Sequence, residues 1–270
     1  MLKLRIFTAA ILSCALLVGL FVLKPLWTVL AFGALLTIGA WEWAAFGGLR
    51  GAPARLAYAC AIALLLLLSW VWTEEPKHLL ILLGVACVWW AIAFVWLVLA
   101  PERHRPRLVL VCGVPVLVPA FIALARLEIA SHGFVRGPQI VLWLLLLVIA
   151  ADVGAFFAGR SLGRRKLAPR VSPGKTWEGA LGGLAAVALM AWCGAAYFAL
   201  PPVPCIAFGC AVGIFSVVGD LTESMFKRSA GLKDSGVLLP GHGGLLDRID
   251  SVTAAAPLYA LGLFGSGVIA

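Results

Sequence analysis

Ile140-Val-Leu-Trp-Leu-Leu-Leu-Leu-Val-Ile-Ala-Ala-Asp152-Val-Gly-Ala-Phe-Phe-Ala158 carries nineteen residues with a single charge, Asp152, and is followed at once by Gly159 and Arg160. As an α-helix rising about 1.5 Å per residue, it covers nearly the 30 Å of a bilayer's hydrocarbon core. It lacks the ten-residue alternation of an outer-membrane barrel strand. The rest of the chain repeats the pattern. Of 270 residues, 63% are hydrophobic and 12% charged, where a soluble domain holds about half and about a quarter. A water-soluble globule is therefore excluded, and so is a disordered chain. Seven scattered cysteines, none in a C-x-x-C pair, do not make a disulfide scaffold and read as small buried side chains. The expected fold class is an all-α polytopic membrane protein.

Apolar runs bounded by Pro, Gly or basic clusters give nine expected spans, at 6–23, 25–46, 56–72, 79–100, 108–125, 140–158, 180–200, 204–226 and 250–269. Only Lys24-Pro25 separates the first two. The first is read as a retained helix, because it ends in that pair and not in a small-residue cleavage site. With nine spans, the N-terminus and the loops after spans two, four, six and eight share one side and carry 17 Lys/Arg, against 4 on the other. That bias puts the N-terminus in the cytoplasm and the C-terminus opposite, as in a multi-pass protein of a bacterial-type inner membrane. The net charge of +9 then reflects topology and anionic headgroups; no nucleic-acid motif accompanies it, and no nucleic acid partner is expected. Tryptophans such as Trp41, Trp43, Trp70, Trp72, Trp89 and Trp90 read as anchors or packing groups. Gly179, Gly182, Gly183, Gly209 and Gly213 have the small-residue spacing of close helix contacts.

Residues 1–140 read as a transmembrane scaffold of about five helices. Glu42 is the main polar exception and is expected at an interface or against a neighbouring helix. Residues 141–270 read as a catalytic region with cytoplasmic loops at 159–179 and 227–249. Ionisable groups at membrane depth cost about 2.5 kcal/mol or more each, so the several found from Asp152 onward call for a function. Asp220, Glu223, Ser224 and Lys227 fall on one helix face at i, i+3, i+4 and i+7, and Asp247, Asp250 and Ser251 repeat that logic. Carboxylate and hydroxyl oxygens, with one nearby imidazole, His242, suit Mg²⁺ or Mn²⁺ better than zinc. The flanking loops offer Arg160, Arg164, Arg165, Lys166, Arg170 and Lys175, then Lys227, Arg228, Lys233 and Arg248. A hard cation with Lys and Arg is the equipment of phosphoryl and nucleotidyl transfer. Pro240-Gly241-His242-Gly243-Gly244 adds a backbone whose N–H groups could cradle phosphate oxygens.

The segment Ser224-Met-Phe-Lys227-Arg228, Lys233-Asp234-x-Gly236, Leu239-Pro240-Gly241-His242-Gly243-Gly244 and Asp247-Arg248-x-Asp250 resembles the signature of the phosphatidate cytidylyltransferases, the CDP-diacylglycerol synthases. It spans 27 residues without a gap. Asp152-x-Gly154-Ala155-Phe156-x-x-Gly159-Arg160, Ser172-Pro173-x-Lys175-Thr176-x-Glu178-Gly179 and Gly219-Asp220-Leu221-x-Glu223-Ser224 resemble the family's pattern too. Val153 departs from it, standing where many members have Thr or another small polar residue. The resemblance covers roughly residues 150–255.

It implies condensation of CTP with phosphatidic acid to CDP-diacylglycerol and pyrophosphate with Mg²⁺; Mn²⁺ and an auxiliary monovalent cation remain open, and a homodimer is implied. On that basis Asp220 and Asp247 are expected metal ligands, with Glu223 and Asp250 as further candidates. Lys227, Arg228 and Lys233 would grip CTP phosphates, and Ser224 and His242, with Gly243-Gly244, would position oxygens. Arg160, Ser172, Lys175 and Arg248 would meet either the nucleotide or the lipid headgroup. Two rivals are separable by assay: a CTP-dependent lipid kinase would release CDP, and an ion transporter would pass ions without consuming CTP.

Overall fold

Proline stands at the first or second position of six helices, where its missing N–H costs nothing and its fixed φ suits the first turn. The computed structural model describes residues 2–101, 105–132, 135–238 and 243–269. Among these residues the helices are α1 (Leu2–Phe21), α2 (Pro25–Phe46), α3 (Ala52–Trp72), α4 (Pro76–Leu99), α5 (Pro106–Ile129), α6 (Gly137–Leu162), α7 (Trp177–Tyr197), α8 (Pro202–Ser229) and α9 (Asp250–Gly265). Two short antiparallel hairpins interrupt them, β1 (Ser131–His132) with β2 (Val135–Arg136) and β3 (Lys166–Ala168) with β4 (Ser172–Thr176). A single 3-10 turn, Leu246–Arg248, leads into α9.

Helices α2 to α8 are each long and apolar enough to cross a membrane. The apolar part of α1 found by the same criterion is Ala10–Phe21. The run expected at 250–269 is shorter as built: α9 has 16 residues, about 24 Å of helix. Three other expectations are amended. The hairpins add a little β-structure to an all-α reading. The segment 159–179 is the last turn of α6 followed by β3–β4, not an open loop. Helix α8 continues to Ser229, so Lys227 and Arg228 lie on its final turn and not in a loop.

Packing divides each helix between protein and lipid. On α4, Leu79, Leu83, Ala86, Trp90, Ala93 and Leu97 are buried, while Val85, Val88, Val95 and Val98 are exposed. Such surface would drive aggregation in water and is at home against acyl chains. Helix α9 is well enclosed, buried from Ser251 through Pro257 and again at Tyr259 and Ala260. It packs on α8, α5, α4 and α6, so both halves of the chain close around it. Interior Pro115 and Pro119 weaken the ladder of α5. Trp43 Nε1 and the Tyr58 hydroxyl donate to the preceding Val109 and Leu110 carbonyls at 2.7 and 2.8 Å.

The small-residue faces allow the close contacts expected of them. A Cβ on Gly183 would lie 2.6 Å from the Ala151 carbonyl oxygen, and one on Gly209 2.6 Å from Ala191 Cβ. These contacts lock α7 between α6 and α8. They also aim β3–β4 at the α8 face that carries Asp220.

Candidate active site

Helix α8 presents Asp220, Glu223, Ser224 and Lys227 as successive rungs of one stripe, and α9 begins beside it. The crossing is close because residue 219 is glycine: a Cβ there would stand 2.6 Å from the Asp250 carbonyl oxygen and 2.9 Å from Ala254 Cβ. Asp250 is thus held against the α8 acidic stripe, with its Oδ1 accepting the Ser251 N–H at 2.8 Å.

Two lysines answer the carboxylates. Lys175, on β4, reaches α8 and places its Nζ 2.5 Å from Asp220 Oδ2. Ser224 Oγ lies 3.4 Å from the other oxygen of Asp220. Lys227 Nζ sits 2.5 Å from Asp247 Oδ1 and 3.1 Å from Glu223 Oε1. Glu223 is buried, and neither of its oxygens accepts a well-formed hydrogen bond. Asp152 feels the charges of Asp220, Lys175 and Arg248, and Asp250 those of Asp220, Lys227 and Lys175. Five carboxylates against two ammonium groups and the Arg248 guanidinium leave a formal excess of two negative charges.

Asp247 lies outside the spanning helices and is held by the loop around it. Its Oδ2 accepts the Ser235 and Gly244 N–H groups, both at 2.9 Å. Burial would raise its pKa, but the Lys227 ammonium and these N–H groups outweigh burial and hold the carboxyl below its usual range. Gly243 adopts φ +85°, and a Cβ there would come 2.9 Å from Asp247 Oδ2. The expected phosphate cradle is therefore partly committed, since the Gly244 N–H already serves Asp247. His242, with Leu239, Pro240 and Gly241, lies outside the described residues.

Asp220, Glu223, Ser224, Lys227, Asp247, Asp250 and Lys175 come together, as do Gly243 and Gly244. Arg228 and Lys233 are exposed beyond the stripe. Ser172 pairs with Ala168 across the β3–β4 hairpin. Arg160 is exposed at the end of α6, its guanidinium 6.0 Å from the Phe156 ring centroid. Arg248 is exposed on the turn before α9. Glu178 accepts the Arg164 and Arg165 N–H groups at 3.0 and 3.2 Å, and Thr176 Oγ1 caps α7 through the Gly179 N–H at 3.1 Å. Both shape the hairpin that delivers Lys175.

Sequence reasoning singled out Glu42 but placed it at an interface or against a helix, and it missed Ser235. Glu42, on α2, accepts the Ser235 hydroxyl and the Leu246 N–H at 2.8 Å and the Leu245 N–H at 3.0 Å. Ser235 Oγ in turn lies 3.3 Å from the Asp247 N–H. Glu42 therefore pins the loop that bears Asp247 instead of pairing with a neighbouring helix. The available signal was an ionisable residue inside an early span; its partner was not legible.

Among the described residues, no three His, Cys, Asp or Glu side chains converge into a ready cage for a metal ion. The donor set nevertheless suits Mg²⁺. This ion is usually held by one or two carboxylates, with waters and substrate phosphates completing its shell. Asp220 and Asp247 offer such oxygens, the negative excess favours a cation, and the unsatisfied Glu223 oxygens lie alongside.

Residues 3–264 match a family model described as "Cytidylyltransferase family". A protein of Haemophilus influenzae named phosphatidate cytidylyltransferase is 39% identical, covering 96% of this chain and 98% of its own length. One of the same name from Pseudomonas aeruginosa is 42% identical, covering 99% of this chain and 98% of its own. A third so named, from Brucella suis, is 50% identical over 129 residues, 47% of this chain and 46% of its own.

Proposed function

The chain belongs to the cytidylyltransferase family, and from that membership we infer that it condenses CTP with phosphatidate, giving CDP-diacylglycerol and pyrophosphate. It is a multi-pass membrane transferase of phospholipid biosynthesis. A phosphate oxygen of phosphatidate attacks the α-phosphorus of CTP. The bond from that phosphorus to the β-phosphate bridging oxygen breaks, and pyrophosphate leaves with the electron pair. The nucleophile needs little activation, because a phosphate monoester with a second pKa of about 6 is largely dianionic at neutral pH. The chain's task is to align two anionic reactants and offset their repulsion.

The lysine–carboxylate cluster where α8, β4 and the start of α9 meet is the observation that carries the site assignment. Lys175 and Lys227 are cations held at fixed positions by Asp220 and Asp247, ready to share their charge with incoming phosphates. Arg228, Lys233 and Arg248, exposed around the rim, would draw in the triphosphate. Ser224 would orient a phosphate oxygen, as would His242. Arg160 and Ser172 remain candidates for the lipid headgroup.

Asp220 and Asp247 would hold Mg²⁺, with Glu223 and Asp250 in support. When bound, the ion supplies positive charge against the phosphates. The 17-to-4 distribution of Lys and Arg supports a cytoplasmic N-terminus, an opposite C-terminus and a site facing the cytoplasm of a bacterial-type inner membrane. Nine crossings, a scaffold at 1–140 with a catalytic region at 141–270, and a homodimer complete the reading.

CTP labelled in its α-phosphate, incubated with the purified protein and phosphatidate, tests the reaction: label should enter the lipid as pyrophosphate appears. Release of CDP with γ-phosphate in the lipid would identify a kinase instead. Mg²⁺ titration of Asp220→Asn and Asp247→Asn tests the metal ligands. Both should lose about 10² to 10³ in rate, as removal of an electrostatic catalytic group typically does. Full activity of both at ordinary Mg²⁺ would remove the assignment.

A further inference from the structure

A cavity of about 540 Å³ opens at the end of the bundle where α2 and α8 finish and α5 starts, and no candidate active-site residue lines it. Its wall is divided. Phe46, Leu49, Pro106 and Leu232 make an apolar side, Arg50 and Arg55 supply two guanidinium groups, and no carboxylate is among the described residues that line it. Arg55 is oriented from behind: its Nε donates to the Trp41 carbonyl at 3.1 Å and its guanidinium lies 5.0 Å from the Trp41 ring centroid. That leaves the two terminal nitrogens of the fork for an anion. Arg50 stands exposed beside it.

We propose that this cavity binds the headgroup of an anionic phospholipid that is not a substrate. Ends of membrane-spanning helices lie at headgroup level, and basic pockets between such helices on the cytoplasmic side hold anionic lipids. A guanidinium fork matches two phosphate oxygens, and the apolar wall fits the glycerol backbone and first methylenes. A free phosphate would leave that wall in water, so the divided lining favours a lipid. The ligand would also touch the turn that closes α8, where the Leu232 N–H bonds the Lys227 carbonyl at 2.9 Å. A bound lipid therefore braces the end of the helix that carries the acidic stripe. The proposal rests on the membrane reading of the fold and not on the reaction, so either can fail alone.

The probe is phosphatidylglycerol, which has no phosphate monoester and cannot be cytidylylated. Full-length protein is equilibrated with mixed phosphatidylcholine and phosphatidylglycerol, and retained lipid is counted by native mass spectrometry. Each interfacial cation is worth roughly a fivefold preference, so Arg50→Gln with Arg55→Gln should lower phosphatidylglycerol preference about 25-fold. Turnover of a small fraction of phosphatidate in phosphatidylcholine vesicles without phosphatidylglycerol should match the unsubstituted protein, which also shows that the variant folds. Arg50→Lys with Arg55→Lys should keep most of the preference. Equal retention by the glutamine variant overturns the proposal. Displacement of the lipid by millimolar glycerol phosphate overturns it too, by making the cavity a site for soluble phosphate.

Discussion

Glu42→Gln keeps the size of the side chain and removes one acceptor from a buried junction. Oε2 of Glu42 takes the Ser235 hydroxyl and the Leu246 N–H, and Oε1 takes the Leu245 N–H. A glutamine retains its oxygen best at the doubly used position. Its amide then faces the Leu245 N–H, donor against donor. One unpaired buried donor costs about 1 kcal/mol at the low end of its range, and the two surviving bonds each weaken by about 1 kcal/mol as the acceptor loses its charge. A total of roughly 3 kcal/mol falls on the segment that fixes Asp247, equivalent to about a hundredfold loss in the ordered arrangement. The measurement is incorporation of α-labelled CTP into lipid, paired with hydrogen exchange across 235–247. kcat should fall ten- to hundredfold while the KM for lipid changes little, and amide protection in the segment should drop. Wild-type turnover together with unchanged exchange in 235–247 would refute the reasoning, and Glu42→Ala would then be expected to be silent as well.

Lys227→Met leaves the buried Glu223 carboxylate unpaired and takes the ammonium away from Asp247. Removing one partner of a buried pair costs about 3–5 kcal/mol, so the melting temperature in detergent should fall sharply, and adding Glu223→Gln should restore part of it; no recovery would mean that Lys227 is not compensating Glu223. Gly219→Val forces a branched side chain between α8 and the Asp250 carbonyl. Overpacking of this kind costs about 1–3 kcal/mol, and turnover should fall with it; a fully active, fully stable variant would show that the crossing is looser than the geometry implies. Lys175→Gln should lower turnover about 10²-fold by removing a fixed cation and should disturb stability much less than Lys227→Met, because the Asp220 side chain is 26% exposed where that of Glu223 is buried. Equal destabilisation by the two lysine substitutions would contradict that ordering.

What could be read from the sequence was whatever lies along one helix. Asp220, Glu223, Ser224 and Lys227 share a face because of helical spacing, and the structure keeps them there. Pro25 marked one helix start, whereas the spans expected from 79, 108 and 204 begin two or three residues earlier, at Pro76, Pro106 and Pro202. Inner and outer faces were not: Leu83 and Val88 are equally apolar, yet one is wholly buried and the other 61% exposed. Lipid and protein interior reward the same side chains, so hydropathy carries no sidedness. Long-range pairings were hidden for a different reason. Lys175 meets Asp220 across 45 residues, and only the β3–β4 register, Lys166 opposite Thr176, sets that reach. Glu42 meets Ser235 across 193 residues. That last pairing bears on the division of the chain into scaffold and catalytic region. A buried carboxylate is costly unless its hydrogen bonds are satisfied, and those of Glu42 come from the loop that holds Asp247. The first half is therefore more than passive support: α2 needs the loop that bears Asp247 to satisfy Glu42, and that loop needs α2 to fix Asp247.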